Sequence, residues 1–496
     1  MRASAKKYQS CGKTSERSEQ GFLHRPATAT DGTAETATAP SMARGPRLDP
    51  IAEAHIESLN YDGSGVAHVN GKVTFIEDAL PGETVRLRYL NRRRNFDSGK
   101  LVEILSPSPD RVAPACAHFG TCGGCSLQHL HPEAQIRAKQ QVLAGQLQHI
   151  GKISPESWLT PLTGPAWGYR RRARLGVRQV PGKDGVLIGF REKRKSFLAN
   201  LNECPVLEPK LAALLPALRG LIAQLSCPHR IPQVEVAAGD DATALVIRHL
   251  LPLTDADRER LRAFGEQHQL QIYLQGGGPD SIVPLWPEIP TPLYYHLPEY
   301  NVTLHFRPTD FIQVNNALNQ QLVHQALTLL DLEPADRVLD LFCGLGNFTL
   351  PLARHAQRVL GIEADAQLIA GAQRNAERNG LGNAEFRQAD LYYDKTSERS
   401  EQGYRSADAT PEAPWNGFSF NKLLLDPPRN GAIEAIKRLP QDSVERIVYV
   451  SCYPATLARD AEYLVHVLGF RLASAGVMDM FPHTSHVESM ALFIRP

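Results

Sequence analysis

Val338-Leu339-Asp340-Leu341-Phe342-Cys343-Gly344-Leu345-Gly346-Asn347-Phe348-Thr349 has the order of an apolar strand, a tight glycine turn and the first turn of a helix. Glycine has no Cβ, so a turn of this kind lets the backbone approach a ligand closely. Downstream, the apolar runs Val359–Ile362, Leu423–Leu425 and Ile447–Ser451 alternate with helical segments to the end of the chain. Upstream, a helical pattern from about Asn315 to Leu330 leads into the strand. Such alternation predicts a doubly wound, Rossmann-like α/β domain over 296–496.

The turn also carries information about its ligand. A dinucleotide fingerprint calls for glycine or alanine three residues after Gly346, where Thr349 stands. An acid ahead of the turn, Asp340, is instead typical of S-adenosylmethionine enzymes. Glu363 ends the next strand, where it can accept both ribose hydroxyls, and Asp390 ends a third strand-like stretch. Cys343 lies inside the turn and is read as a small packed residue.

Three further strand ends carry reactive groups: Leu425-Asp426-Pro427-Pro428-Arg429, Val450-Ser451-Cys452-Tyr453-Pro454 and Val487-Glu488-Ser489. Ligands of open α/β sheets bind at the carboxyl edge of the strands. A thiolate there can add to carbon 6 of a pyrimidine, making carbon 5 nucleophilic towards a methyl group, and a base must then remove the carbon 5 proton. Arg429 occupies the position where amino-group methylases of adenine place a stacking aromatic. The loop also lacks the second cysteine usual in cytosine carbon 5 methylases of RNA. Uracil remains. A free thiol with a pKa of about 8.5 is mostly protonated at neutral pH, so the strand-to-helix turn at Cys452 is expected to favour the anion. Glu488 is the candidate base.

The rest of the 496 residues frames this domain. Residues 1–47 lack apolar periodicity and are expected to be disordered, with Met42 a candidate native start. The nonapeptide Lys13–Gly21 recurs at Lys395–Gly403 inside an expected inserted loop, 390–417. Short alternating runs broken by Asn70-Gly71 and Pro81-Gly82 predict a small OB-like β-barrel over 48–106. Residues 107–295 read as an α+β domain. No apolar run approaches the roughly 20 residues of a membrane span. The net charge is only +1, but 166–195 holds ten basic residues against two acids, and Arg92-Arg93-Arg94 forms a second cluster. Such density fits contact with phosphates. Cys116, Cys122 and Cys125, with Cys204 far downstream, are spaced for a metal site, zinc or iron–sulfur, and the eight cysteines do not form a disulfide-like framework.

The motifs Phe311–Asn315 (FIQVN), VLDLFCGLGNFTLPLA, LLLDPPRNGA, VYVSCYPATLARD and DMFPHTSHVESM resemble those of bacterial RNA uracil-5-methyltransferases, and the amino-terminal barrel resembles their TRAM domain. The resemblance covers about 48–496, with two departures: Tyr453, where the family usually has asparagine, and the KTSERSEQG insertion. It implies that Cys452 is the nucleophile and Glu488 the base. It also implies that Gln313, Phe342, Asn347, Glu363, Asp390 and Asp426 surround S-adenosylmethionine and the target base. It further implies a [4Fe-4S] cluster on Cys116, Cys122, Cys125 and Cys204, and 23S ribosomal RNA as substrate, because the transfer-RNA members lack both cluster and barrel. A monomer acting in the cytoplasm, with no membrane partner, is expected. A radical methylthiotransferase would need a C-x3-C-x2-C set that is absent; methylation of a different ribosomal or transfer-RNA uridine and a non-catalytic RNA-binding protein on a methylase fold are the remaining rivals.

Overall fold

The computed structural model describes residues 51–180, 185–392, 413–440 and 443–496. The amino-terminal extension, both nonapeptide copies and Lys183 lie outside the described residues.

Strand Arg337–Leu341 forms the centre of an eight-stranded sheet. To one side lie Arg358–Glu363 and then Ala384–Gln388; to the other lie Lys422–Leu425, Arg446–Ser451, Glu488–Ile494, Arg471–Met478 and Ser157–Trp158. The first five in chain order of the α/β domain run parallel, and Glu488–Ile494 runs antiparallel to both its neighbours. Chain order reverses between Arg337–Leu341 and Lys422–Leu425, which makes their carboxyl ends the switch-point crevice of the sheet.

Both faces of this sheet are buried, which explains why its strands are continuously apolar. Val338, Leu424, Val448 and Val450 point into a core shared with helix Asn316–Leu330. The alternate residues Leu339, Leu341, Leu423, Leu425, Ile447 and Tyr449 point into a second core. Helices Pro454–His466 and Pro132–His149 cover that second face, the latter through Ile136, Leu143 and Leu147. Lys139 on the same helix is buried and pairs with Asp479 at 2.6 Å. Helix Pro132–His149 and strand Ser157–Trp158 thus pack on the α/β sheet although both lie within 107–295.

A second, six-stranded mixed sheet contains Arg172–Gln179, Val186–Gly189, Gln233–Ala238, Thr243–Arg248, Gln271–Gln275 and Ile282–Trp286. The hairpin Leu293–Leu297/Val302–Phe306 bridges it to the α/β domain by sharing the first core.

The amino-terminal six strands run in the order Ile51–His55, Thr84–Arg92, Asp97–Ser106, Lys72–Glu77, Gly65–Val69, Ser58–Leu59. Ala54 from the first and Ala67 and Val69 from the fifth lie in one core with Ile76, Val85 and Leu87, so the sheet closes on itself. Asn70 and Gly71 both take positive φ, 52° and 76°, as a tight hairpin turn requires. Leu59 and Leu80 dock this barrel onto Leu127, Leu130, Ala134 and Ala138 at the start of helix Pro132–His149.

Candidate active site

Asp426 and Cys452 each stand one residue beyond a strand, Lys422–Leu425 and Arg446–Ser451. Glu488 is the first residue of the antiparallel strand, whose amino end therefore lies at the same edge. The register pairs Ser451 with Ser489, which sets Cys452 across from Glu488. Both border a cavity of about 590 Å³ with Gln313, Phe342, Asn347, Glu363, Asp390 and Asp426. All eight candidate catalytic and cofactor positions thus face one space.

The glycine turn forms the cavity floor. Phe342 takes φ +66°, rare for an aromatic, and its N–H donates to Ile362 O at 2.9 Å. A Cβ on Gly344, at φ +54°, would meet no atom within 4 Å. Thr349 donates to the buried Asp340 at 2.5 Å and ties the following helix back to the strand, a role for the threonine that replaces the third glycine. Cys343 Sγ would lie 2.9 Å from a Cβ on Gly361; although the residue borders the cavity, it is packed as expected.

Glu363 is oriented by its own chain: one oxygen accepts from the N–H groups of Ala364 and Asp365 at 2.7 and 3.1 Å, the other from Gly344 at 3.4 Å. Asn347 is fixed at both ends of its amide. Its oxygen accepts from Tyr295 Oη at 2.8 Å and Asn319 Nδ2 at 2.9 Å, and its Nδ2 donates to Asn319 at 3.0 Å. Asp390 accepts from Tyr392 N at 2.8 Å, and the Tyr392 ring lies against Phe342 with centroids 5.6 Å apart.

The electrostatics of the reactive edge differ from expectation. Burial, with the neighbouring Glu488 and Asp426, pushes the Cys452 thiol up to about 12 despite Arg429. The helix after Cys452 does not outweigh this, because burial, the largest cause, and the two acids all oppose the thiolate. Burial and then Asp426 raise Glu488 to about 8, while Lys139 and Arg429 pull it down. Burial raises Asp426 to about 7. The resting edge therefore holds protons at neutral pH.

Two contributors were not singled out from sequence. Asp460 accepts from Tyr449 Oη at 2.7 Å and Ala432 N at 2.6 Å and pairs with Arg459, fixing the loop after Asp426. It closes the motif VYVSCYPATLARD, but the motif does not display which groups it holds. Lys139, about 350 residues before Glu488, gave no signal.

Cys116, Cys122, Cys125 and Cys204 border a second cavity of about 230 Å³, and His486 borders both this and the larger one. Gly124 N lies 3.4 Å from Cys122 Sγ. Burial raises the thiols of Cys122, Cys125 and Cys204, Cys125 to about 12. Among the described residues, no group of three or more His, Cys, Asp or Glu converges to hold a metal ion, so neither zinc nor the expected iron–sulfur cluster has an assembled ligand set in this geometry. The cysteine loop is joined to the loop before Glu488, since Ser126 and Leu127 N–H both donate to His483 O at 2.9 Å.

Most of the cations of 166–195 are engaged within the chain. Arg171 pairs with Glu208 and Asp240, Arg172 and Arg174 with Glu235, Lys193 with Asp78, Arg194 with Glu77 and Lys195 with Glu192. Lys193 and Arg194 thereby tie the barrel to the central region. Among the described residues, no helix is long and apolar enough to cross a membrane.

The family model for tRNA (Uracil-5-)-methyltransferase matches residues 132–495, and that for the TRAM domain matches 51–101. A Nitrosococcus oceani protein named 23S rRNA (uracil(1939)-C(5))-methyltransferase RlmD is 52% identical over 91% of this chain and 99% of its own length. A Thiobacillus denitrificans protein of the same name is 50% identical over 90% and 100%. The crystal structure of Pyrococcus abyssi tRNA (uracil-54, C5)-methyltransferase, in complex with S-adenosyl-L-homocysteine, superposes with a TM-score of 0.64 at 24% identity, over 89% of this chain and 100% of that one, a likeness of fold. With a TRAM barrel ahead of a methyltransferase domain and a family match across most of its length, the chain belongs to the uracil-5-methyltransferase family.

Proposed function

We propose that the chain is an enzyme that methylates carbon 5 of a uridine in 23S ribosomal RNA, the uridine at position 1939, with S-adenosylmethionine as donor. The observation that carries this reading is the convergence of Cys452, Glu488 and Asp426 on one cavity with Glu363 and Asp390. The substrate rests on two relatives at least 50% identical over nearly their whole length that carry that name.

When bound, S-adenosylmethionine supplies an electrophilic methyl group. Glu363 keeps lone pairs for ribose hydroxyls while backbone amides hold its orientation, and Asn347 is immobilised by Tyr295 and Asn319. The target uridine is flipped out of its stack, at a cost of roughly a few kcal/mol. Cys452 would lose its proton to solvent and its sulfur would bond to carbon 6; the π electron pair of C5–C6 would then form the bond from carbon 5 to the methyl carbon as the methyl–sulfonium bond of the donor breaks, its pair staying on the sulfur of the departing S-adenosylhomocysteine. Glu488, as carboxylate, takes the carbon 5 proton, the C5–C6 double bond returns and the C6–S bond breaks to release Cys452. Arg429 favours the anions of both Cys452 and Glu488, and Lys139 favours that of Glu488.

Cys116, Cys122, Cys125 and Cys204 are proposed to hold a [4Fe-4S] cluster. What supports this reading is the chemistry of the donors, four thiols that border one cavity, with backbone hydrogen bonds to Cys122 and Cys204 of the kind that stabilise cluster sulfurs; their sulfurs would have to draw together around the cluster. Its role would be structural, since methyl transfer needs no electron. We take the chain to act as a monomer in the cytoplasm.

The test is methyl transfer from labelled cofactor to transcripts of 23S ribosomal RNA and transfer RNA. Labelling of the ribosomal transcript at uridine 1939 is expected; labelling of transfer RNA alone would overturn the substrate, and labelling of neither would favour a binding role. With 5-fluorouridine RNA, a covalent adduct should form on Cys452 and be lost in Cys452→Ala. Iron and acid-labile sulfide should co-purify in equal amounts and fall in Cys204→Ser.

A further inference from the structure

Tyr61 and Tyr453 meet at the outer side of the nucleophile. Tyr61 lies on the turn between barrel strands Ser58–Leu59 and Gly65–Val69 and is 51% exposed. Tyr453 follows Cys452 directly, at the residue where this chain departs from the family pattern. Their ring centroids are 6.1 Å apart at an interplanar angle of 88°, edge to face. Both rings line a cavity of about 210 Å³ with Cys452, Arg429 and His486, residues that also border the cofactor cavity.

Tyr61 also lines a larger groove, of about 1160 Å³, between the barrel, helix Pro132–His149 and the basic turn at 191–194. Phe75 and Phe96 of the barrel stand in that groove with their rings 5.5 Å apart, opposite Arg191. Cations beside a line of aromatic rings form the surface on which single-stranded RNA stacks its bases. Tyr61 borders both this groove and the smaller cavity that holds Tyr453 and Cys452, so it joins the two.

We propose that Tyr61 and Tyr453 clamp the nucleobase adjoining the target uridine in the RNA strand, so that both are RNA-positioning residues of this chain. The proposal rests on the reading of the chain as an RNA uridine methylase. Two aromatic faces at right angles leave one ring free to stack and the other to close the edge. Because the adjoining base, not the reacting one, is held, the clamp acts on RNA binding more than on the chemical step.

The test uses the full chain and a ribosomal RNA fragment carrying the target uridine, with 2-aminopurine replacing the nucleotide on either side in turn. Tyr61→Ala and Tyr453→Ala should each raise KM for RNA about tenfold, with kcat within about twofold and cofactor affinity unmoved. Tyr61→Phe and Tyr453→Phe, which keep the rings, should behave as the parent. The fluorescence of one of the two 2-aminopurines should be quenched by the parent and the Phe variants and not by the Ala variants. An unchanged KM in both Ala variants of a methylating parent, or no quenching at either neighbour, would overturn the clamp alone. A parent that methylates no uridine would overturn the clamp and the function together.

Discussion

Glu488 holds its proton to about pH 8, above the ordinary carboxylate range, because burial and Asp426 oppose its charge. A base must be ionised, so kcat/KM, which reports the free enzyme, should rise as pH climbs from about 6 to 8. A flat profile over that interval would show that Glu488 does not limit the reaction. The same shift has a consequence for stability with a definite sign. A carboxyl raised on folding stabilises the fold below its unfolded value, about 4.3, and loses that contribution as pH rises towards its folded value. Glu488→Gln should therefore melt with the parent near pH 4 and at a higher temperature by pH 8.5, while catalysis is lost; scanning fluorimetry across pH checks this. Glu488 was legible as a candidate from its place at a strand end and was strengthened by the family motif, because a lone glutamate in sequence looks like a surface charge. What sets it across from Cys452 is the pairing of Ser489 with Ser451, which a linear sequence does not display. The raised thiol of Cys452 was missed for a related reason: the helix beside it is visible in sequence, and its burial and the two acids brought in from other strands are not.

At the scale of elements, the loop from Asp426 to Ala432 depends on helix Pro454–His466. Asp460 of that helix is buried, receives hydrogen bonds from Tyr449 and Ala432, and pairs with Arg459. Gly431 turns beneath it at φ +77°, and a Cβ there would lie 2.6 Å from the Asp460 carboxylate. Arg459 is partly exposed and keeps its solvation, so removing Asp460 costs mainly the two buried donors it leaves unpaired, about 1–3 kcal/mol each. Asp460→Ala is expected to destabilise by that order in urea unfolding, whereas Tyr449→Phe, which removes one hydrogen bond, should cost about 1.5–3 kcal/mol because the acceptor is charged. Equal, small losses in both would mean that the loop is held by other contacts. The central strands Arg337–Leu341, Lys422–Leu425 and Arg446–Ser451 were readable because each is a run of mostly apolar residues buried on both faces. Strand Ser157–Trp158 was not, since two residues leave no period to detect, and its pairing with Arg471–Met478 spans some 300 residues of sequence.

At the scale of the whole molecule, charge density in sequence overstated the surface available to RNA. Lys193 and Arg194 stand beside Arg191 in sequence, but their partners Asp78 and Glu77 belong to the barrel, so these two cations hold domains together. Arg191 and Arg178 are exposed and make no ion pair among the described residues. Arg191, which lines the groove, is the one placed to meet a phosphate. Each phosphate neutralised on single-stranded RNA contributes about 0.7 to the slope of log affinity against log salt. Arg191→Ala should therefore flatten that slope by about 0.7 and leave the melting temperature unchanged. Lys193→Ala should do the reverse, lowering the melting temperature while leaving the slope nearly intact. Asp78→Asn, which removes the partner and keeps the lysine, should steepen the slope, because a cation released from the domain contact becomes available to the nucleic acid. RNA binding measured over a salt series with the three variants separates the two kinds of cation. Equal slope changes from Arg191→Ala and Lys193→Ala would mean that RNA displaces the barrel contact when it binds, and the barrel would then have to move for the uridine to reach Cys452.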